Sequence, residues 1–121
     1  MLVVESDDAV RATVAEGLRD SGLLVKAMKD VDGIGGWSGD VIVTDTFATP
    51  YRTEAVVAYL KGLRSRFTAG LVVLTGHNGA SADIAQLPAD AVVLKPYDLE
   101  DLVAVVISVA RDRRQHNDTD R

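Results

Sequence analysis

Short apolar runs alternate along this chain with longer segments in which apolar residues recur every three or four positions. The apolar runs are "MLVV", "LLVKAMK", "VIVT", "LVVLT" and "AVVL". Runs this short, rich in valine and without regular polar alternation, are typical of strands buried on both faces of a sheet. Five such strands separated by helical segments predict an α/β fold, with a parallel sheet covered by helices on both sides.

The segments between the runs differ in how strongly they predict helices. "DDAVRATVAEGLRDSG" and "RTEAVVAYLKGLRSRF" each carry one apolar face, and acids open the first of them while Gly22 offers an end point. The apolar faces consist of Val10, Val14 and Leu18 in the first helix, and of Val56, Leu60, Leu63 and Phe67 in the other. The Gly-rich "VDGIGGWSGD" permits only a short or irregular helix, and "SADIAQL" predicts another short one.

The final helix, predicted in "DLEDLVAVVISVARDRR", has a wider apolar surface than one sheet face requires. Its core stripe is Leu99, Leu102, Val103, Val106 and Ala110, and this stripe is widened by Val105, Ile107 and Val109. Two interpretations stay open: a tightly buried terminal helix, or a surface that docks an effector or forms a homodimer.

The composition is that of one soluble domain, with 121 residues, 47% apolar and 26% charged. We expect this domain to span residues 1–110, and "RDRRQHNDTDR" (111–121), which has no apolar residue, to be a polar C-terminal tail or the start of a linker. No apolar segment is long enough to span a membrane and none resembles a signal peptide, so we expect a cytoplasmic protein. A formal charge of −5 argues against a nucleic-acid surface, and the absence of cysteine excludes disulfides and thiolate metal sites.

Polar side chains follow four of the five predicted strands. They are Glu5, Ser6 and Asp7 after the first strand, Asp45 after the third, Thr75 after the fourth and Lys95 after the fifth. In an open parallel sheet, ligands bind outside the carboxyl ends of the strands, where the strand order reverses. We therefore expect acids, a hydroxyl and an ammonium group to meet at one edge of the sheet.

This set of groups suits phosphoryl transfer. A carboxylate such as that of Asp45 can accept a phosphoryl group as an acyl phosphate. Because such transfers depend on positioning and charge neutralisation, the remaining requirements are a cation, an ammonium and a hydroxyl around the phosphoryl oxygens. Mg²⁺ prefers a few carboxylates together with water and phosphate oxygens, and acids at neighbouring strand ends can supply the carboxylates.

Four segments resemble the receiver domain of bacterial two-component response regulators: "LVVESDDAVR", "VIVTD", "VVLTGH" and "VVLKPYDLEDL". They occur in the family's order and on the matching predicted elements, and the resemblance covers residues 1 to about 110. It implies a doubly wound, five-stranded parallel sheet of flavodoxin-like order in a three-layer sandwich. It also implies a cis peptide bond before Pro96.

The resemblance further implies roles for individual residues. Asp45 would be the phosphoacceptor, and Thr75 and Lys95 would contact the phosphoryl group. Mg²⁺ would be held by an acid pair after the first strand, by Asp45 and by the backbone carbonyl of Phe47. A histidine kinase or phosphotransfer protein would donate the phosphoryl group, and the domain would then change its affinity for a partner. Since acceptance is partly self-catalysed in this family, we do not expect an enzyme in the ordinary sense.

The acid pair itself departs from the family, because it is Glu5-Ser6 in this chain. Glu5 would be a metal ligand, while Ser6 would offer only a hydroxyl where the family has a second carboxylate that coordinates the metal. Asp7 does not simply substitute for it, since adjacent residues of a strand point in opposite directions. We therefore expect weaker Mg²⁺ binding than in a receiver with both acids.

Three further departures from the family concern the loop after Asp45, the fifth strand and the segment before that strand. Pro50 lies five residues after Asp45, where the family often has a proline after four. Val92 occupies the position of an aromatic switch residue, and Pro88 limits the fourth helix.

These features leave a second hypothesis open: a pseudo-receiver that binds partners without being phosphorylated. A flavin- or nucleotide-binding flavodoxin-like protein is a third and weaker hypothesis, because acids follow the first strand where a phosphate would bind.

Overall fold

The computed structural model describes residues 1–32, 34–45, 53–75, 87–94 and 97–119. Five strands and three helices lie in these ranges. The strands are β1 (Leu2–Val4), β2 (Lys26–Met28), β3 (Val41–Asp45), β4 (Gly70–Thr75) and β5 (Ala91–Leu94). The helices are α1 (Asp8–Asp20), α2 (Thr53–Arg66) and α3 (Leu99–Thr119). The five predicted strands are confirmed, although β2 begins three residues later than its apolar run.

All four strand pairings are parallel, and the order across the sheet is β2-β1-β3-β4-β5. This order confirms the predicted doubly wound, flavodoxin-like fold. The chain moves outward from β1 in one direction to β2 and in the other direction through β3 to β5. The order therefore reverses between β1 and β3, and a crevice is expected outside the carboxyl ends of these two strands.

Two apolar clusters cover the two faces of the sheet. The α2 core contains Leu2, Val4, Ile34, Ile42, Val56, Leu60, Leu63, Ala69, Leu71 and Val73. The α1/α3 core contains Val3, Val14, Leu18, Val41, Val43, Val72, Leu74, Leu102, Val106 and Val109. Successive strand residues alternate between the two cores, as side chains on a strand must. Each valine-rich run is thus buried on both sides, which explains why it shows no polar alternation.

Helix α1 begins and ends at residues that its sequence predicts. The side chain of Asp7 accepts a hydrogen bond from the backbone N–H of Val10 at 3.0 Å and caps the helix. Gly22 has a φ of 89°, a left-handed conformation that glycine adopts at low cost. At this end the N–H of Leu23 reaches the carbonyl of Leu18 at 3.2 Å, and the chain then turns toward β2.

The Gly-rich segment between β2 and β3 contains turns and no helix in its described residues, 29–32 and 34–40. Ile34 is buried in the α2 core, and Trp37 packs against the same core. The ring of Trp37 meets that of Phe67 edge-to-face, with 5.7 Å between centroids. Apolar side chains from an irregular segment thus cover the sheet where a short or irregular helix was expected.

Helix α3 is longer than predicted and continues to Thr119, beyond the expected domain boundary at residue 110. Val109 is buried in the α1/α3 core and Val105 packs against it, which supports the buried interpretation for part of the widened stripe. Ile107 is half-buried. The boundary, and a role of this helix in docking or dimerisation, stay predictions.

Several expectations fall outside the described residues. They are the short helix in "SADIAQL" apart from Leu87, the turn around Pro50, and the peptide bond before Pro96. No helix in the part of the chain that the structure describes is both long and apolar enough to cross a membrane.

Candidate functional site

Glu5 and Asp45 lie at the carboxyl ends of the neighbouring strands β1 and β3. Val4 pairs with Thr44 in the register of these strands, so the next residue of each strand lies at the same level. The N–H of Glu5 donates to the carbonyl of Met28 at 3.0 Å, which extends the β1–β2 ladder by one residue. Both acids are buried, with 2% of Glu5 and 5% of Asp45 exposed.

The side chains of these two acids belong on the same face of the sheet. Val43 lies in the α1/α3 core, and Asp45, two residues further along β3, points to that side by strand alternation. Val3 also lies in the α1/α3 core, so Glu5, two residues after Val3, points to the same side. Parallel strands lie about 4.7–4.9 Å apart. The sheet therefore brings two buried carboxylates together at the point where its strand order reverses.

Residues of the β1–α1 connection and of α1 itself hold Glu5 in place. Its Oε1 accepts a hydrogen bond from the N–H of Asp7 at 3.1 Å. Its backbone carbonyl accepts one from Nη1 of Arg11 at 2.9 Å, and Nη2 of Arg11 lies 2.5 Å from the carboxylate of Asp8. Arg11 was not predicted as a site residue, although its position three residues after Asp8 on a helix favours this ion pair.

The structure separates the roles of the three residues that follow β1. Glu5 is buried, whereas Ser6 and Asp7 are exposed. Asp7 uses its carboxylate to cap α1, which agrees with the expectation that it does not replace the missing acid. Ser6 therefore stays the residue at the second position of the acid pair.

Thr75 ends β4 at the same edge of the sheet. Asp45 pairs with Leu74, so Thr75 lies one residue beyond the level of Asp45. It is half-buried and pairs with Leu94 of β5. Thr75 thus lies between the ends of β3 and β5. Two predicted site residues, Phe47 and Lys95, lie outside the described residues, so their roles stay predictions.

Glu5 and Asp45 could supply only part of the ligands that a Mg²⁺ ion needs. Among the described residues, no three His, Cys, Asp or Glu side chains form a group that could hold a metal ion. Mg²⁺ nevertheless keeps several waters and binds proteins through one or two carboxylates plus phosphate oxygens. Glu5 and Asp45 meet that requirement, and a backbone carbonyl would add a neutral ligand.

Tyr97 lies close to this edge, on the segment that leads into α3. It lines an open apolar pocket of about 290 Å³ with Ala9, Val10, Thr13, Val14 and Leu99. Burial raises the pKa of the Tyr97 phenol, and the nearby carboxylate of Glu5 raises it further. Tyr97 thus lies within electrostatic reach of Glu5, a relationship that the sequence did not identify.

A second tyrosine approaches Asp45 from the opposite face of the sheet. The hydroxyl of Tyr59, on α2, lies 2.9 Å from that of Thr44. Thr44 donates a hydrogen bond to the backbone carbonyl of Asp45 at 3.0 Å. Burial raises the pKa of Tyr59 to about 12, and the carboxylates of Asp45 and Asp30 add to this rise, while the hydrogen bond with Thr44 opposes it. The position of Tyr59 beside the apolar stripe of α2 was the only sequence signal for this contact.

Val92 packs against the α2 core as a half-buried side chain. An aliphatic side chain here has no ring to rotate between an inward and an outward position.

No protein-family model and no curated protein matches this chain. Solved structures do, and one of them is the signal receiver domain of a signal transduction histidine kinase from Syntrophus aciditrophicus. It is 19% identical, the match covers 92% of this chain and 89% of that one, and the TM-score is 0.73.

Two further solved structures are similar over nearly their whole length. A response regulator from Thermotoga maritima is 19% identical with a TM-score of 0.73, and the match covers 91% of this chain and 95% of that one. A response regulator receiver domain protein from Clostridium thermocellum is 17% identical with a TM-score of 0.69, covering 94% of this chain and 95% of that one. Likeness at such identities establishes the fold. The chain therefore has the fold of response-regulator receiver domains, as its sequence resemblance predicts.

Proposed function

We propose that this chain is a receiver module of a cytoplasmic phosphorelay, in which Asp45 accepts a phosphoryl group from a histidine kinase or phosphotransfer protein. The observation that carries the proposal is the placement of Glu5 and Asp45, two buried carboxylates at one level of adjacent strands. Burial of like charges side by side favours a cation between them. Thr75, one residue beyond the level of Asp45 at the same edge, would supply a hydroxyl to the proposed acceptor.

The transfer needs few chemical groups from the protein. A carboxylate oxygen of Asp45 attacks the phosphorus of a phosphohistidine, the phosphorus–nitrogen bond breaks, and its electron pair stays on the imidazole nitrogen. The product is an acyl phosphate on Asp45. Thr75 would donate a hydrogen bond to a phosphoryl oxygen, and Lys95 would pair with its negative charge, as the resemblance implies. Mg²⁺, when bound, neutralises charge on the phosphoryl oxygens.

In this proposal Glu5, Asp45 and the carbonyl of Phe47 would hold Mg²⁺, as the resemblance implies. Ser6 is exposed and contributes at most a neutral hydroxyl, so the site has one anionic ligand fewer than receivers with two acids. Metal affinity falls when a carboxylate is replaced by a neutral group. We therefore expect phosphorylation to need more Mg²⁺ than in those receivers.

Beryllofluoride, which mimics a phosphoryl group on a carboxylate, tests the site without a cognate kinase. In the presence of MgCl2, it should shift the amide NMR signals of Asp45 and Thr75. Asp45→Asn should abolish these shifts, and Thr75→Ala should weaken the binding. Thr68→Ala, which removes an exposed hydroxyl after α2, is the matched control and should behave as wild type. Unchanged spectra of the wild type at saturating beryllofluoride and MgCl2 would contradict the proposal.

A binding module that is not phosphorylated is the second candidate, and exposed Ser6 in place of a carboxylate favours it. In this case the fold would present a constant surface to its partner, and Asp45 would have no reaction to perform. The flavin hypothesis receives no such support, because Asp7 and Asp8 place negative charge at the N-terminus of α1. The beryllofluoride experiment separates the two remaining candidates.

A further inference from the structure

Thr44 and Tyr59 form a short hydrogen-bonded chain that ends on the main chain of Asp45. Each hydroxyl has a single hydrogen to donate. Because Thr44 donates to the carbonyl of Asp45, Tyr59 must be the donor in the 2.9 Å contact between the two hydroxyls. The order is thus phenol to threonine hydroxyl to the carbonyl of Asp45. This order requires a protonated phenol, which is the ordinary form of a tyrosine at neutral pH.

Packing alone does not explain this polar contact. Thr44 is 0% exposed and lies between Val4 on β1 and Val73 on β4. Both neighbours belong to the α2 core, so a valine at position 44 would continue an apolar row. Burial of a hydroxyl costs free energy unless it is hydrogen-bonded, and an apolar residue of the same shape avoids this cost. Filling the core therefore does not by itself account for a hydroxyl pair at this position.

The contact reaches Asp45 from the face opposite its carboxylate. Thr44 points toward α2, whereas Asp45, the next residue, points toward α1 and α3. The chain of hydrogen bonds can therefore fix the main chain of Asp45 without occupying the site itself. It holds the carbonyl of the last residue of β3, from which the chain continues toward Phe47.

We propose that Tyr59, acting through Thr44, is a positioning residue that sets the orientation of Asp45 at the end of β3. This inference rests on the proposed phosphoryl acceptance. Since Ser6 supplies no carboxylate, a bound Mg²⁺ would depend more on Asp45, and loosening the end of β3 should weaken Mg²⁺ binding first.

The test measures how the rate of phosphorylation by a small phosphodonor depends on MgCl2 concentration. Tyr59→Phe and Thr44→Val each break the hydrogen-bonded chain while preserving shape. Each should raise the half-saturating MgCl2 concentration about 3- to 10-fold, the size expected for the loss of one net hydrogen bond. The rate at saturating MgCl2 should fall less. The double variant should resemble the single ones, because both remove the same contact.

Two control variants separate positioning from general destabilisation. Thr44→Ser keeps the hydroxyl and should keep the MgCl2 dependence of the wild type within about twofold. Ser65→Ala removes an exposed hydroxyl that bonds the carbonyl of Gly62 within α2, and should have no effect. Thermal unfolding of every variant, without MgCl2, shows how far each is destabilised. The main-chain carbonyl NMR signal of Asp45 should shift in Tyr59→Phe and not in Ser65→Ala.

The outcomes distinguish this inference from the proposed function. A wild type that is never phosphorylated overturns both. A wild type that is phosphorylated, with Tyr59→Phe and Thr44→Val at the wild-type MgCl2 dependence, overturns only the positioning role. Lower melting temperatures in these variants with unchanged MgCl2 dependence also overturn the positioning role, since the contact would then be purely structural.

Discussion

Glu5 and Asp45 lie at one level of the sheet, each one residue beyond the paired Val4 and Thr44. Both are almost fully buried, so their carboxylates interact with little screening by water. Two ionised carboxylates in such a place repel each other unless positive charge is near. The proposed Mg²⁺ site would supply that charge, and two predictions concern it.

The first prediction concerns the charge of Glu5. Glu5→Gln preserves the size of the side chain but removes one of the two buried carboxylates. Mg²⁺ affinity should fall on the order of 10-fold, which is the size of effect seen when a polar group at a metal site is removed. NMR titration with MgCl2, followed at the amide signal of Asp45, measures this affinity.

Glu16→Gln is the matched control, since Glu16 is exposed in the middle of α1. It makes the same chemical change away from the strand ends and should leave the affinity unchanged. Equal affinities of the Glu5 and Glu16 variants would show that the strand-end acids do not bind the metal.

The second prediction concerns the missing acid. Ser6→Asp restores a carboxylate at the second position of the pair, where the side chain is already exposed. Mg²⁺ affinity should rise, on the order of 10-fold for one added anionic ligand. The same MgCl2 titration measures the gain. Ser65→Asp adds the same charge on exposed α2 and should give no gain; an equal gain there would point to a general charge effect.

The third prediction compares two leucines with opposite environments. Leu102 is 0% exposed in the α1/α3 core, whereas Leu24 is 90% exposed between α1 and β2. Leu102→Ala should lower the free energy of unfolding by about 2–5 kcal/mol, because it leaves a cavity. Leu24→Ala should change it by less than about 0.5 kcal/mol. Urea unfolding measures both, and a similar loss in the two variants would contradict the exposed position of Leu24.

The fourth prediction follows from the pKa of Tyr59, which is raised from the ordinary 10.0 to about 12, mainly by burial. A group whose pKa is higher in the folded state stabilises the fold fully below its unfolded pKa. Wild type should therefore lose stability relative to Tyr59→Phe as the pH rises from 10 toward 12, and show a constant difference below pH 10. Urea unfolding of both proteins across this range measures the difference.

The ultraviolet absorbance of tyrosinate gives an independent check, since one of the three tyrosines should ionise near pH 12 and disappear from the titration in Tyr59→Phe. A titration in which the component near pH 12 persists in Tyr59→Phe would mean that this component belongs to another tyrosine.

The elements of the fold could be predicted because their signals are local. Valine runs identify strands buried on both faces, and acids followed by apolar spacing identify α1 up to Gly22. The predicted start of β2 was wrong because Leu23 lies in the turn that ends α1, where its N–H bonds the carbonyl of Leu18. Leu24 is then exposed, so apolar character alone did not make these residues part of a strand.

The site was harder to predict, because its geometry depends on residues far apart in the chain. Placing Glu5, Asp45 and Thr75 at one edge required only the strand ends and a parallel sheet. The contact between Thr44 and Tyr59 joins residues 15 positions apart on a strand and a helix, and neither carries a motif. Such a contact follows from how α2 packs on the sheet, which no local pattern specifies.

The most direct test of phosphoryl acceptance is the intact mass of the protein after incubation with MgCl2 and a small phosphodonor. The wild type should gain the mass of one phosphoryl group, and hydroxylamine, which cleaves acyl phosphates, should remove it. Asp45→Ala should gain nothing under the same conditions. A wild type that stays unmodified at saturating donor and metal, or an Asp45→Ala variant that is modified equally, would contradict phosphoryl acceptance by Asp45.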